Sequence, residues 1–222
     1  MSEHSGQGRR RRTSKVTVPE IAETALAMID EHGLEALTMR GLADAIGVTP
    51  MTLYRYLDNK DMILAQVAEL LWRELPPIDP AITDWREQLA AMWQQLFDLM
   101  LRHPQAVPLI ARGGAYSATA GSDTVGMVGV LKEAGFPPEL ASAFVHAASA
   151  LVVGYAFAHL WQHQACAGQA THVAAGTAPA VPPDLLDYAG RIGPFTTDEF
   201  QATLRLLIDG FAARVPGPPK TS

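Results

Sequence analysis

From Ile21 onward the apolar positions Ile21, Ala25, Leu26 and Ile29 recur at intervals of three and four, which predicts an amphipathic helix. Thr17 and Glu20 stand at capping-box spacing before it, and His32-Gly33 supplies a C-terminal stop. Thr38 then caps a second, short helix carrying Leu42, Ala43 and Ile46, and Gly47 ends it. A third helix starts at Thr49, a good N-cap, with Pro50 in the first turn, where its missing amide costs nothing. Asp58-Asn59 is turn chemistry, so this helix has room for only about two turns. Leu53 and Leu57 share one face of it, Met51 and Arg55 point the opposite way, and Thr52 and Tyr54 flank them. Two leucines pin the segment while the rest is turned outward. Asn59 caps a fourth helix, Lys60 to Leu75, stopped by Pro76-Pro77.

Beyond Pro80 the pattern changes to longer, more apolar helices: Trp85 to Leu101, a short one after Pro104, and Ser122 to Ala134, ended by Gly135. A last helix opens on the capping-box pair Thr196 and Glu199 and presents Phe200, Leu204, Leu207, Ile208 and Phe211. Between Leu140 and Pro183 there is no Asp, Glu, Lys or Arg. Its helical part, "LASAFVHAASALVVGYAFAHLWQH", is apolar nearly all round, which means burial in an interior, an oligomer or a membrane. His146 and His159 interrupt a membrane-spanning reading and no flanking basic residues orient one. A dimer interface is the better explanation, with Ala143, Ala147, Ala150 and Gly154 allowing close approach of a partner helix. The fold class expected is all-α: an arm at residues 1–15, a three-helix helix-turn-helix domain at 16–75, and a larger helical domain at 80–216.

Composition narrows the function. A chain of 222 residues with 48% hydrophobic content buries a real core. The single cysteine, Cys166, excludes an internal disulfide framework and fits a reducing cytoplasm, and seven histidines without paired cysteines give no zinc finger. The N-terminus is polar and then basic, without the apolar stretch of a signal peptide. His159 and His163 stand four apart on a helix, a metal-compatible spacing, but no nearby carboxylate completes a site, so no metal is assigned. The net charge of −6 argues against nucleic acid until its distribution is considered. Residues 1–60 hold eight of the seventeen Lys and Arg residues and are neutral in sum, so the whole deficit lies behind them. The Arg9–Arg12 run sits in a segment too polar to pack, either a solubilising tail or an arm that follows a phosphate backbone.

Helix, tight Gly turn, short helix is the helix-turn-helix plan, and the Thr49 helix is shaped to enter a major groove. The run "LTMRGLADAIGVTPMTLYRYLDNKDMILAQVAELLW", Leu37 to Trp72, resembles the DNA-binding domain of the tetracycline-repressor (TetR) family. Its marks are Leu-Thr-x-Arg opening helix two, Leu-Ala-x-x-Ile-Gly-Val through the turn, and Leu-Tyr-x-Tyr-Leu-x-x-Lys across the recognition helix. The resemblance implies that Met39 and Arg40 approach DNA from helix two and that Pro50, Met51, Thr52 and Arg55 read bases beside the cap Thr49. It places Tyr54, Tyr56 and Lys60 on phosphates. The chemistry agrees: Arg55 can donate two bonds to a guanine edge, and the apolar atoms of Met51 and Thr52 suit a thymine methyl.

The order of elements after Pro80, the Ala/Gly/Pro-rich stretch Ala165 to Pro183 and the final "LRLLIDGFAARV" are similar to the tetracycline repressors proper. There a histidine and a glutamate help hold a drug-bound magnesium ion; Ile110 and Ala158 occupy those places here, and Leu75 and Met92 replace other polar drug contacts. The implied pocket is therefore more apolar, lined by Leu75, Met92, Trp93, Leu96, Ile110, Tyr116, Met127, Phe157 and Trp161. The function expected is a homodimeric, ligand-responsive regulator, a repressor, on a palindromic double-stranded DNA operator, with a small-molecule effector, no cofactor and no membrane. The alternatives are a DNA-binding protein without an effector, or an α-helical enzyme. The chain offers no Gly-rich phosphate loop, nucleophile elbow or catalytic pair to support the last.

Overall fold

A computed structural model describes residues 16–112, 118–168 and 195–215, with the side chains of 163–168 and several in 118–124 left aside. The arm at 1–15, Tyr116 and the stretch from 169 to Pro183 lie outside the described residues. All regular structure among the described residues is helical: α1 Val18–His32, α2 Met39–Ile46, α3 Pro50–Tyr54, α4 Lys60–Arg73, α5 Trp85–Arg102, α6 Val107–Ile110, α7 Ala118–Glu133, α8 Pro138–Gly168 and α9 Thr197–Ala212. The chain divides into two compact units, Met1–Leu75 with Pro108–Thr124, and Pro76–Val107 with Val125–Ser222.

In the first unit α1 packs on α4 and α2, and α2 on α3. The α1 cap is reciprocal. The Thr17 hydroxyl accepts from the Glu20 amide at 3.4 Å, and the Glu20 carboxylate accepts from the Thr17 amide at 2.9 Å. Ile21, Ala25 and Ile29 of α1 and Ile63, Val67 and Leu71 of α4 are fully buried, and the two helices pack on each other. Between α2 and α3, Gly47 has φ 85° and ψ 27°, the left-handed conformation that a Cβ resists. That residue lets the Gly47 and Val48 amides both return to the Ala43 carbonyl at 2.9 Å, closing α2 and turning the chain within two residues.

Several elements differ in extent from their sequence pattern: α4 ends at Arg73, α8 runs Pro138–Gly168, and two others differ for a visible reason. Helix α3 is regular only over Pro50–Tyr54, and Arg55 to Leu57 complete the second turn more tightly, with the Tyr56 amide bonding Leu53 at 2.8 Å. Helix α7 starts at Ala118, four residues before the expected Ser122, because Glu69, distant in sequence, caps its N-terminus through Thr119.

In the second unit α5, α8 and α9 pack against one another. Phe97 of α5 stacks on Phe200 of α9, with ring centroids 4.2 Å apart, while Phe144 of α8 meets Phe136 and Phe211 edge to face. Residues Pro138–Gln162 of α8 are long and apolar enough to cross a membrane by length and composition. Its Phe144, Ala148, Val152 and Ala156 are instead buried inside the unit. The other side carries Ala143, His146, Ala150, Gly154, Phe157 and Trp161 as exposed residues three or four apart, and α9 with its C-cap adds Ala202, Leu206 and Ala213. These two stripes of mostly small and apolar residues are left uncovered within the unit.

Candidate DNA interface and effector domain

The recognition segment is anchored by its leucines and presented by its cap. Leu53 is fully buried and Leu57 nearly so, a burial that stabilises the segment by about 1.5–3 kcal/mol per leucine. Opposite them Met51 is 72% exposed, and Tyr54, Arg55 and Tyr56 are exposed as well. The Thr49 hydroxyl accepts from the Thr52 amide at 3.2 Å and meets the Thr52 hydroxyl at 2.9 Å, which fixes the rotamers at the start of α3. Thr49, Pro50 and Thr52 are half-buried. On α2, Met39 is half-buried and Arg40 exposed, at the turn where the Thr38 hydroxyl accepts from the Gly41 amide at 3.0 Å. The first unit therefore holds all ten residues expected at DNA, five of them exposed.

Lys60 opens α4, half-buried, and its ammonium donates to the Leu34 carbonyl at 3.2 Å. No sequence signal announces this bond, since Leu34 lies in a one-turn 3₁₀ segment, Leu34–Ala36, and its carbonyl, which also accepts the Leu37 amide at 3.4 Å, is a main-chain group like any other. Glu69 of α4 is equally silent in the sequence. Its carboxylate accepts from both the amide and the hydroxyl of Thr119, at the start of α7, and pairs with Arg73 at 3.0 Å.

Of the residues expected to line an effector pocket, Leu75 and Ile110 belong to the first unit, half-buried and buried respectively. Met92, Trp93, Leu96, Met127, Phe157 and Trp161 belong to the second. Trp93 is buried, and its indole N–H has no partner among the described residues, a donor that costs about 1–3 kcal/mol when it stays so. Met92, Leu96 and Met127 are half-buried, and Phe157 and Trp161 stand exposed on α8. A separate open groove of about 510 Å3 runs between α5 and α9, with Ala91, Gln94 and Leu204 among its lining. Glu87 and Arg205 close one side of it with a two-pronged ion pair at 2.8 and 3.2 Å, and this bond and the Glu87 charge raise the Arg205 pKa further. His159 is tied by Nδ1 to the Phe195 carbonyl at 2.8 Å and lies edge-on to Phe97, which places it in the packing between α8 and the start of α9.

A short exposed helix fixed behind a Gly turn, in a chain whose second, all-helical unit carries an exposed apolar stripe, defines a helix-turn-helix transcriptional regulator. Residues 21–67 match the profile of bacterial regulatory proteins of the tetR family, and residues 77–215 that of the tetracyclin repressor-like C-terminal domain. The chain belongs to the TetR family of bacterial regulatory proteins. It is 32% identical over 158 residues to the HTH-type transcriptional repressor DrrR1 of Streptomyces coeruleorubidus. That match takes in 68% of this chain but only 56% of DrrR1, little more than half of that relative's length. An HTH-type transcriptional regulator of Saccharopolyspora erythraea is 27% identical over 210 residues, 89% of this chain and 85% of the relative. The fold is similar to that of the Streptomyces coelicolor TetR family protein ActR in complex with actinorhodin, with 25% identity, a TM-score of 0.72, and coverage of 92% of this chain and 100% of that one.

Proposed function

We propose that the chain is a cytoplasmic repressor that holds a palindromic operator as a homodimer and is released by a small, largely apolar effector. Residues 16–75 form the reading domain, 80–216 the effector and dimerisation domain, and the basic arm at 1–15 assists on the phosphate backbone. The observation that carries this reading is the surface of α3. Met51 and Arg55 project to solvent from a segment whose buried anchors are Leu53 and Leu57. Such a segment is built for a partner, and its chemistry suits base edges. Pro50, Met51, Thr52 and Arg55 read bases beside the cap Thr49, Met39 and Arg40 approach from α2 with Arg40 on a base or a phosphate, and Tyr54, Tyr56 and Lys60 hold phosphates.

Of the residues expected at an effector, Met92, Trp93, Leu96 and Met127 of the second unit supply the lining, while the exposed Phe157 and Trp161 belong to the α8 stripe; the apolar character of the four matches an apolar ligand. That DrrR1 is named a repressor and that ActR binds actinorhodin support repression and a small-molecule effector. An enzymatic role has no support in the chain's motifs, and the family consists of regulators. The effector must bind the DNA-incompetent state more tightly than the operator-bound one, since equal affinity shifts nothing.

The test is a binding selection from random duplex DNA at near-physiological salt, with the wild type and Arg55→Ala in parallel. A palindrome enriched by the wild type and lost in the variant, whose fold is checked by circular dichroism, establishes base reading. Enrichment of no sequence by the wild type, together with equal retention by both proteins, sinks it in favour of a DNA-binding protein without sequence preference.

A further inference from the structure

Helix α7 begins at Ala118, so the amide of Thr119 is one of the four that an α-helix leaves without an internal partner. Its partner is Glu69, fifty positions earlier on α4. One carboxylate oxygen accepts the Thr119 amide at 3.1 Å and the other accepts its hydroxyl. The Glu69 side chain is only 19% exposed, and Arg73, one turn on, pairs with it at 3.0 Å and holds it in place. A carboxylate at a helix N-terminus also meets the positive end of the helix dipole. Helix α4 runs from Lys60 along the helix-turn-helix core, and α7 continues from Thr119 through Val125 into the second compact unit. A partly buried charge–dipole contact thus fastens the reading domain to the start of a helix whose later turns belong to the effector-bearing unit.

We propose that Glu69 is a positioning residue for the ligand response: its grip on Thr119 makes the position of α4 and the state of α7 one thermodynamic unit. The inference rests on the reading of the first unit as the operator-binding domain. Coupling between sites is reciprocal, so an element that carries the effector's influence to the DNA must carry the DNA's influence back. The latch can therefore be tested with operator duplex alone, before any effector is identified.

The experiment is hydrogen exchange of the full-length protein, free and saturated with the selected operator duplex, read at the α7 amides from Val125 to Glu133. In the wild type the duplex is expected to slow exchange there about fivefold or more, the lower end of ordinary site-to-site coupling. In Glu69→Ala, which removes both acceptors, the slowing should fall below about twofold, while operator affinity changes little because Glu69 is not among the residues assigned to the operator. Thr119→Val keeps the amide bond, loses the hydroxyl bond and should fall between the two; it decides the matter if Glu69→Ala does not fold. A merely structural contact would lower the melting temperature in both variants and leave the transferred slowing intact, which overturns the proposal. So does absence of slowing in a wild type that binds the duplex. A wild type that binds no duplex overturns the DNA reading itself, and the inference with it.

Discussion

The Lys60 ammonium and the Leu34 carbonyl, twenty-six residues apart, are joined by a 3.2 Å hydrogen bond that ties the first turn of α4 to the link between α1 and α2. A lysine bonded in this way has lost one of its three donors and most of its freedom, and the remaining two protons are held at the N-terminus of a fourteen-residue helix. The bond stabilises the domain and leaves two donors for the phosphate that the proposed reading assigns to Lys60. Lys60→Ala should cost about 1.5–3 kcal/mol in denaturant unfolding, the range for a hydrogen bond to a charged group. It should also flatten the plot of log affinity against log salt by about one unit, the share of a single phosphate. Loss of stability with an unchanged salt slope would assign Lys60 to the fold alone.

Gly47 gives a cleaner measure of backbone strain, because a Cβ built there has nothing within 4 Å while φ stands at 85°. Any cost of Gly47→Ala therefore comes from the left-handed conformation and not from a clash. The variant is expected to lose about 1–2 kcal/mol with an unchanged denaturant slope. Gly47→Asn should lose less, since Asn visits this region more readily. Equal losses in the two variants would point to another cause.

Gly47 and Lys60 also mark what a sequence can disclose. Gly47 is legible because the constraint is local: Thr38, Leu42, Ala43 and Gly47 together spell a capped, closed short helix. The helix order and the exposed side of α3 follow from spacing for the same reason. The Lys60–Leu34 and Glu69–Thr119 contacts join residues 26 and 50 positions apart through main-chain groups that nearly every residue carries, so no side-chain pattern announces them. Helix α7 begins early for that reason, its cap being borrowed from α4. The apolar lining is legible only as a set of residue types. Trp93 and Phe157 have the same apolar character in the chain, yet one is buried and the other half exposed, because that difference depends on which face of an apolar helix meets a neighbour.

The exposed stripe on α8 offers a test of the dimer that spares the protomer. Gly154 lies in mid-stripe, and a side chain added there would meet nothing within 4 Å of its Cβ, so Gly154→Leu adds bulk only where a second copy must approach. Within one chain the change should be neutral or slightly stabilising, because Gly is a poor helix former by about 1 kcal/mol. The expected outcome is a monomer in sedimentation, with unchanged helix content. Operator affinity should fall about 100-fold or more as the linkage of two half-sites is lost. Leu206→Glu, on the 73% exposed Leu206 of α9, should act in the same direction by placing a charge in the seam. A dimer that survives both changes lies on another surface.

Arg55 caps the C-terminal end of α3 in the right-handed region, its side chain exposed beside the buried Leu53 and Leu57. Its planar fork can pair with both acceptors on a guanine edge, where a lysine can satisfy them only as a point charge. Arg55→Lys keeps the net charge and should leave non-specific affinity and the salt slope unchanged. At one operator position per half-site the preference for guanine should shrink by about 1–3 kcal/mol, read by competition against operators substituted one position at a time. A uniform drop across all substituted operators, with no single position flattened, would make Arg55 a phosphate contact and move base reading to Arg40, Met51 and Thr52.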